Sequence, residues 1–256
     1  MQWITLLQKE LLENWRNYKW VWVPIVIVIL TIMDPITNYF LPEIIESVGN
    51  LPEGAVIELP TPTTSEALMM SLEQLGTLGI LIIVLTFMGT IANERKSGVA
   101  ELILTKPVRY AYYVSAKWVS WNLLIWVSLL IAFFINWYYI QILYGDVAII
   151  LVLKIVFFYG LWMSFVITVT IFYNTLFISQ GIVAFMSLGT VILLHLFSAI
   201  FINRFTWLPN NISEHIYLLV ESNSLPDKLV TTSLVTVGLI IGLLLLSIGQ
   251  LKRQYT

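Results

Sequence analysis

Long apolar runs separated by short polar segments dominate this chain. Six of them are long enough to cross a bilayer as helices, because about 20 mainly apolar residues span the hydrocarbon core. They lie near Trp20–Phe40, Leu75–Ala92, Trp118–Ile140, Val147–Phe172, Ile178–Ile202 and Leu229–Ile248. The runs lack the period-two alternation of strands, which favours helices. The pattern therefore predicts an all-α integral membrane protein with six transmembrane helices in a single domain, residues 1–256.

Composition agrees with this class. The chain is 59% hydrophobic and 11% charged, whereas soluble domains are roughly 25% charged. It contains no cysteine, which excludes disulfides and thiolate metal sites. No cluster of basic residues indicates a nucleic-acid partner. Membrane lipid is the predicted surrounding, in the plasma membrane of a bacterium.

Basic residues are distributed unevenly between the polar segments, and cytoplasmic loops of membrane proteins carry the excess of lysine and arginine. Ten of the thirteen precede the first run, separate the second from the third, or follow the sixth: Lys9, Arg16, Lys19, Arg95, Lys96, Lys106, Arg109, Lys117, Lys252 and Arg253. Segment 41–74 carries glutamates and no basic residue. We therefore expect both termini in the cytoplasm and segments 41–74 and 203–228 outside.

The first 19 residues form a separate amphipathic pattern. Apolar side chains recur at helical spacing, with Lys9, Glu10 and Arg16 elsewhere around the helix. This is typical of an interfacial helix on the inner leaflet. A plain membrane anchor and a docking element are equally good interpretations.

The polar segment 94–109 between the second and third runs predicts a short amphipathic helix. Val99, Leu102 and Ile103 follow an i, i+3, i+4 pattern, and Pro107 ends the helix. Such a helix at the end of a hairpin offers a soluble protein a surface to grip.

Catalytic motifs are absent from the sequence. There is no Gly-x-x-x-x-Gly-Lys-Ser/Thr loop, and no Gly-x-Ser-x-Gly or His-Glu-x-x-His. The chain is therefore predicted to be no enzyme and to bind no cofactor itself. Two ionisable residues lie inside predicted spans. His195 is either part of a transport pathway or a neutral side chain bonded to a neighbouring helix, and Lys154 either contacts substrate or extends to the interface, towards Asp146.

Segment 94–109, read Glu-Arg-Lys-Ser-Gly-Val-Ala-Glu-Leu-Ile-Leu-Thr-Lys-Pro-Val-Arg and followed by Lys117 at the third run, carries a family likeness. It resembles permease subunits of ABC-2 type (type V exporter-like) ABC transporters, in particular permeases of Gram-positive bacilli. Val99 stands where that family commonly has Thr, and Ala116 precedes Lys117 where it commonly has Gly.

The resemblance implies a complex of two permease subunits, as a homo- or heterodimer, and two ATPase subunits that bind ATP and Mg²⁺. The segment then acts as a coupling helix that rests in a cleft of the ATPase. We also expect Glu94 and Arg95, two opposite charges at a helix end, to hold each other and neighbouring backbone groups, and so to tie the second span to this helix. The implied coupling residues are Glu94, Arg95, Ser97, Gly98, Val99, Glu101, Leu102, Ile103, Thr105, Pro107 and Arg109. The N-terminal helix, through Lys9, Glu10 and Arg16, contacts the ATPase flank.

The implied function is export of a hydrophobic or amphipathic substrate, such as a peptide, an antimicrobial or a lipid-like molecule. Two alternatives need no ATPase partner: a membrane sensor or immunity protein, and a secondary transporter. A membrane enzyme is less compatible with the sequence, because Lys154 and His195 are the only charged or histidine residues well inside the predicted spans.

Overall fold

Helices make up almost the whole structure, a computed structural model that describes residues 2–48, 62–105, 108–201, 204–222 and 224–255. No β-strand occurs in these ranges. A π-helix, Leu75–Gly79, and a 3₁₀ turn, Pro209–Asn211, accompany the α-helices. The α-helices described are α1 (Gln2–Arg16), α2 (Lys19–Val48), α3 (Thr64–Gln74), α4 (Ile80–Phe87), α5 (Thr90–Lys96), α6 (Val99–Leu104), α7 (Tyr110–Leu143), α8 (Ile149–Leu176), α9 (Gln180–Ile200), α10 (Ile212–Ser222) and α11 (Asp227–Tyr255).

Six segments of the described chain are long and apolar enough to cross a membrane, which confirms the predicted fold class. They are Lys19–Ile45, Thr64–Lys96, Tyr110–Leu143, Ile149–Leu176, Gln180–Ile200 and Asp227–Tyr255. The second span consists of α3, the π-helix, α4 and α5 in succession, and each other span is a single helix. Several spans exceed the predicted runs, because flanking polar residues also adopt helical structure.

Helix α8 lies at the centre of the bundle. It packs against α4, α7, α9 and α11. In its most apolar stretch 61% of the residues are buried, compared with 22% in the corresponding stretches of α9 and α11. Its large side chains Trp162 and Tyr159 are almost completely buried. In lipid such close packing, rather than the hydrophobic effect, holds helices together. The outward faces of α9 and α11 are left for lipid or another subunit.

Helix α2 is longer than the sequence predicted. It continues to Val48 through three prolines: Pro24, Pro35 and Pro42. Residues 41–48 are helical, so neither Pro35 nor Pro42 ends the helix. Membrane helices tolerate proline where neighbouring groups support the backbone. Here Tyr144 donates its hydroxyl to the carbonyl of Pro35 at 2.6 Å. Residues 49–61 of the predicted outer segment lie outside the described residues.

The second span begins with a capping box. The N–H of Glu66 donates to the Thr63 hydroxyl at 3.3 Å, and the N–H of Thr63 donates to the Glu66 carboxylate at 2.7 Å. Each side chain satisfies a backbone donor of the other residue. The cap is Thr63, which places Glu66 at the third helical position.

Both described ends of the chain lie at one end of the bundle, together with α6. Arg95 of α5 and Gln254 of α11 both donate to the carbonyl oxygen of Thr175, at 2.8 Å and 3.2 Å. We call this the basic end and the opposite one the far end. The positive-inside rule predicts that the basic end is cytoplasmic.

Candidate functional site

The short helix α6 follows the second span and is separated from it by a turn that contains Gly98. Helix α5 ends at Lys96, and Ser97 donates its hydroxyl to the carbonyl of Asn93 at 2.8 Å. Gly98 follows with a φ of 76°, in the left-handed region that glycine adopts without steric cost. This conformation separates the two helices, and α6 begins at Val99.

The apolar face predicted for α6 is divided between two sides of the helix. Leu102 is 70% exposed and Val99 is 38% exposed, whereas Ala100 is buried. Ile103 packs partly against the protein core. The helix is therefore anchored by Ala100 and Ile103, and it offers Leu102 and Val99 to the surroundings. Exposed leucine on a short anchored helix is the main unpartnered apolar feature of this loop.

The remaining residues of the predicted coupling segment lie within α6 or next to it. Glu101 is exposed, and its carbonyl accepts the N–H of Thr105 at 2.8 Å, where the helix ends. Arg109 precedes α7 and lies over the ring of Tyr112, 5.7 Å from the ring centroid. Pro107 lies outside the described residues.

Beneath this loop, four buried or half-buried charges meet between α1, α5 and α7. The ammonium group of Lys117, which has no exposed surface, lies 2.8 Å from Glu10 and 3.0 Å from Glu94. Lys9 bridges the same two carboxylates, at 2.9 Å from Glu10 and in direct contact with Glu94. Tyr113 donates its hydroxyl to Glu94. We call these five residues the charge cluster.

The geometry explains why charges are tolerated there. Two lysines and two glutamates cancel, and each carboxylate accepts from more than one donor, which is the condition under which buried ion pairs survive desolvation. Burial by itself would lower the pKa of Lys9. The neighbouring carboxylates of Glu10 and Glu94 outweigh it and raise that pKa above its ordinary value, so Lys9 is charged at physiological pH.

The same place holds three carboxylates close enough to ligate a metal ion: those of Glu10, Glu13 and Glu94. The Lys9 ammonium group is already among them, 3.2 Å from Glu13 in addition to its contacts with the other two. A lysine cation therefore supplies the positive charge that a metal would bring. The donor set fits an internal ion pair better than a metal site.

Glu94 and Arg95 do not hold each other, contrary to the expectation from the sequence. Glu94 joins the charge cluster, and Arg95 donates to the carbonyl of Thr175 at 2.8 Å. That carbonyl lies in the last turn of α8, where unpaired carbonyls favour a cation. The two residues instead tie α5 in two directions, to α1 and α7 on one side and to α8 on the other.

A buried asparagine supports the break that precedes α5. Asn174 of α8 accepts the N–H groups of Ile91 and Ala92 at 3.2 and 3.1 Å, and it donates to the carbonyl of Phe87 at 3.2 Å. One side chain thus forms hydrogen bonds with the backbone at the end of α4 and at the start of α5. At Gly89, between them, a Cβ would lie 2.8 Å from the amide nitrogens of Asn93 and Gln180, so a larger residue there would displace the ends of these two flexible side chains.

Helix α1 buries polar side chains, which the amphipathic pattern did not predict. Glu10 and Asn14 are its buried residues, and Asn14 donates to the hydroxyl of Ser120 on α7 at 3.0 Å. Trp15 is 67% exposed, and Arg16 is exposed in the last turn. The helix therefore docks on α7 through its polar face.

Lys154 and His195 lie away from this cluster. Lys154 is half-buried in α8 and, within the described chain, makes no ion pair with Asp146, which accepts from Gln141 at 3.5 Å. His195 stands edge-on to Trp162 of α8, with ring centroids 6.0 Å apart. A hydrogen bond from His195 to a neighbouring helix stays a prediction, and the contact that the structure shows is this one with the Trp162 ring. His195 also lines a cavity of about 910 Å³.

Three residues of this region were missed as site residues. The third span was predicted to begin at Trp118, so Lys117 was expected just outside it. In the structure α7 begins at Tyr110, and Lys117 lies inside the helix. Tyr113 and Asn174 carry no sequence signal, because their roles depend on contacts between distant helices.

Comparison with known proteins places the chain among bacterial membrane proteins. No protein-family model matches it. Over 218 residues it is 34% identical to the uncharacterized transmembrane protein YxlG of Bacillus subtilis (strain 168), an alignment that covers 84% of each chain. That similarity extends over most of the six-span bundle. The chain is a multi-pass membrane protein that belongs to the family of YxlG.

Proposed function

We propose that this protein is the membrane-spanning permease subunit of an ATP-driven transporter of the ABC-2 type, and that it exports a hydrophobic or amphipathic substrate. A separate ATPase, in two copies, binds ATP and Mg²⁺. A second permease subunit completes the membrane body. The chain itself performs no catalysis, in keeping with a sequence that has no phosphate-binding loop.

The observation that carries this proposal is the exposure of Leu102. A 70% exposed leucine on a six-residue helix, at the basic end and next to a span terminus, is a surface that a soluble partner would cover. Protein interfaces concentrate their binding energy in a few such apolar anchors, surrounded by polar rims. Glu101 and Lys96 supply a rim on this loop, since both are exposed.

The charge cluster supports a mechanical role for this loop. A push on α6 passes through Gly98 to α5, and α5 is tied to α1 and α7 by Glu94 and to α8 by Arg95. The break at Gly89 and its cap, Asn174, separate α5 from α4. The second span thereby has a short terminal piece that moves with the partner while remaining bonded to three other helices.

The decisive experiment joins this chain with the ABC-type ATPases encoded in the same genome, each tested in turn. Tagged permease and ATPase are co-expressed and purified in mild detergent, and the retained ATPase is quantified with its hydrolysis rate. Leu102→Asp is expected to weaken the complex roughly 30-fold or more, since truncated anchors cost about 2 kcal/mol. Leu225→Asp is the matched control, because Leu225 is also exposed (50%) but lies between α10 and α11, at the far end.

The alternatives make different predictions in the same experiment. A sensor, an immunity protein or a secondary transporter retains no ATPase in either variant or in the wild type. A complex that survives Leu102→Asp with full hydrolysis would show that α6 is not the coupling helix.

A further inference from the structure

An open cavity of about 910 Å³ lies towards the far end of the bundle, between the second span, α9 and α10. Most of its wall is apolar, including Leu72, Ile80, Leu188 and Ile192. It extends along α9 from Leu188 to Leu196, which are eight positions apart, or about 12 Å at the rise of an α-helix. Its volume is in the range of sites that hold drug-sized molecules.

The wall formed by the second span contains the π-helix Leu75–Gly79. Gly76 and Thr77 of this π-helix face the cavity. Thr77 turns its hydroxyl back to the carbonyls of Glu73 and Gln74, at 3.3 and 3.2 Å, which leaves no polar donor directed at the cavity from this position. Short π-helices inside α-helical segments occur frequently at functional sites.

Two carboxylates stand where the cavity approaches the far end. Glu73 comes from α3 and Glu214 from α10, both are exposed in the single chain, and neither makes an ion pair with any basic side chain of the described residues. His195 lines the same cavity. Lys228 lines an adjoining cavity of about 510 Å³, which shares His195 and Glu214 with the first, and it forms no ion pair with Glu214 among the described residues.

We propose that this cavity binds an organic cation with a bulky apolar body, the positive group lying between Glu73 and Glu214 and the body among the apolar side chains of α4 and α9. The proposal names the substrate class of the transport function and rests on the proposed function only for that role, because binding itself needs no ATPase. Unpaired carboxylates beside an apolar wall favour a cation, and they would repel an anionic lipid head group. A lipid acyl chain would fill the interior without any preference for charge.

The test uses tetraphenylphosphonium, a cation, and tetraphenylborate, an anion of the same shape. Binding to the purified protein in nanodiscs of zwitterionic lipid is measured against empty nanodiscs, with no ATPase or nucleotide present. We expect saturable binding of the cation and no protein-dependent binding of the anion. The double variant Glu73→Gln/Glu214→Gln should lose at least 10-fold in affinity for the cation. Glu221→Gln is the matched control, since Glu221 is an exposed glutamate of α10 outside this cavity.

A second variant tests the apolar part of the site separately. Ile192 is 57% exposed towards the cavity, so Ile192→Trp should fold and should reduce cation binding at least 10-fold by occupying the space. Equal binding of both ions, or an unchanged affinity in the double variant, would overturn the proposal. If the cation binds but the co-purification retains no ATPase, this site stands and the proposed coupling to ATP fails.

Discussion

The ammonium group of Lys117 lies 3.0 Å from the carboxylate of Glu94, in a place where Lys117 has no exposed surface. This contact joins the third span to the end of the second. It also fixes α1, because Lys117 donates to Glu10 at 2.8 Å. The loop that carries α6 therefore leaves the bundle from a point held by three helices.

Removing the Lys117 charge should destabilise the bundle strongly. Lys117→Met leaves Glu10 and Glu94 with one lysine between them, and breaking a buried pair from one side costs about 3–5 kcal/mol. The retained Lys9 places the expected loss near 3 kcal/mol, a fall in Tm of roughly 6–12 °C for a chain of this size. Thermal unfolding in detergent at a fixed scan rate measures it.

Two companion variants make that result specific. Lys154→Met removes a half-buried lysine that forms no ion pair among the described residues, and its Tm should stay near that of the wild type. The double variant Lys117→Met/Glu94→Gln should recover part of the loss, because the uncompensated carboxylate is gone. An equal effect of Lys117→Met and Lys154→Met would contradict the charge cluster.

The sequence predicted the six spans because their apolar runs reflect the bilayer itself, which acts on each helix separately. It also located α6, since the spacing of Val99, Leu102 and Ile103 and the glycine before them are local signals. The interior of the site depends on packing between distant segments. Nothing near Glu94 in sequence indicates that its partners are Lys9 and Lys117.

The break in the second span provides a second example. The apolar run from Leu75 predicted one continuous helix, and its periodicity contains no sign of the π-helix or of the interruption at Gly89. The interruption is stable because Asn174, far away in sequence, supplies the missing hydrogen-bond partners. A pattern read along one segment carries no information about such a cap.

Replacing Asn174 should loosen α5 without unfolding the rest of the bundle. Asn174→Leu removes the partners of Ile91 N–H, Ala92 N–H and the carbonyl of Phe87. Buried backbone groups that lose their partners cost about 1–3 kcal/mol each, and local rearrangement should reduce the total to about 2–4 kcal/mol. Hydrogen exchange of residues 90–96 should accelerate.

Asn122→Leu is the appropriate comparison for that measurement. Asn122 is also buried, but among the described residues its amide donates to Trp118 within its own helix, and its carbonyl oxygen has no partner there. We expect little change of exchange in α5 for this variant. Unchanged exchange in Asn174→Leu as well would mean that the cap does not hold α5.

The orientation in the membrane can be tested directly, because the chain has no cysteine of its own. Glu221→Cys, at the far end, should react with an impermeant maleimide in intact cells. Lys96→Cys, in the last turn of α5 at the basic end, should react only after the membrane is permeabilised. Both positions are exposed in the structure, so accessibility to water does not bias the comparison. Labelling of Lys96→Cys in intact cells would reverse the predicted orientation.

Raising the pH from neutrality should not weaken the attachment of α1 until strongly alkaline conditions are reached. Glu10 and Glu94 raise the pKa of Lys9 above its ordinary value, which is about 10.4. A group with a raised pKa in the folded state stabilises the protein fully below its unfolded pKa, and loses that contribution as pH rises through the folded pKa. The difference in Tm between the wild type and Lys9→Met should therefore be constant from about pH 7 to 10 and shrink only above about pH 10.4. Lys96→Met, which removes an exposed lysine, should show almost no difference at any pH. A difference for Lys9→Met that already declines between about pH 7 and 9 would show that the carboxylates around Lys9 do not stabilise its charged form.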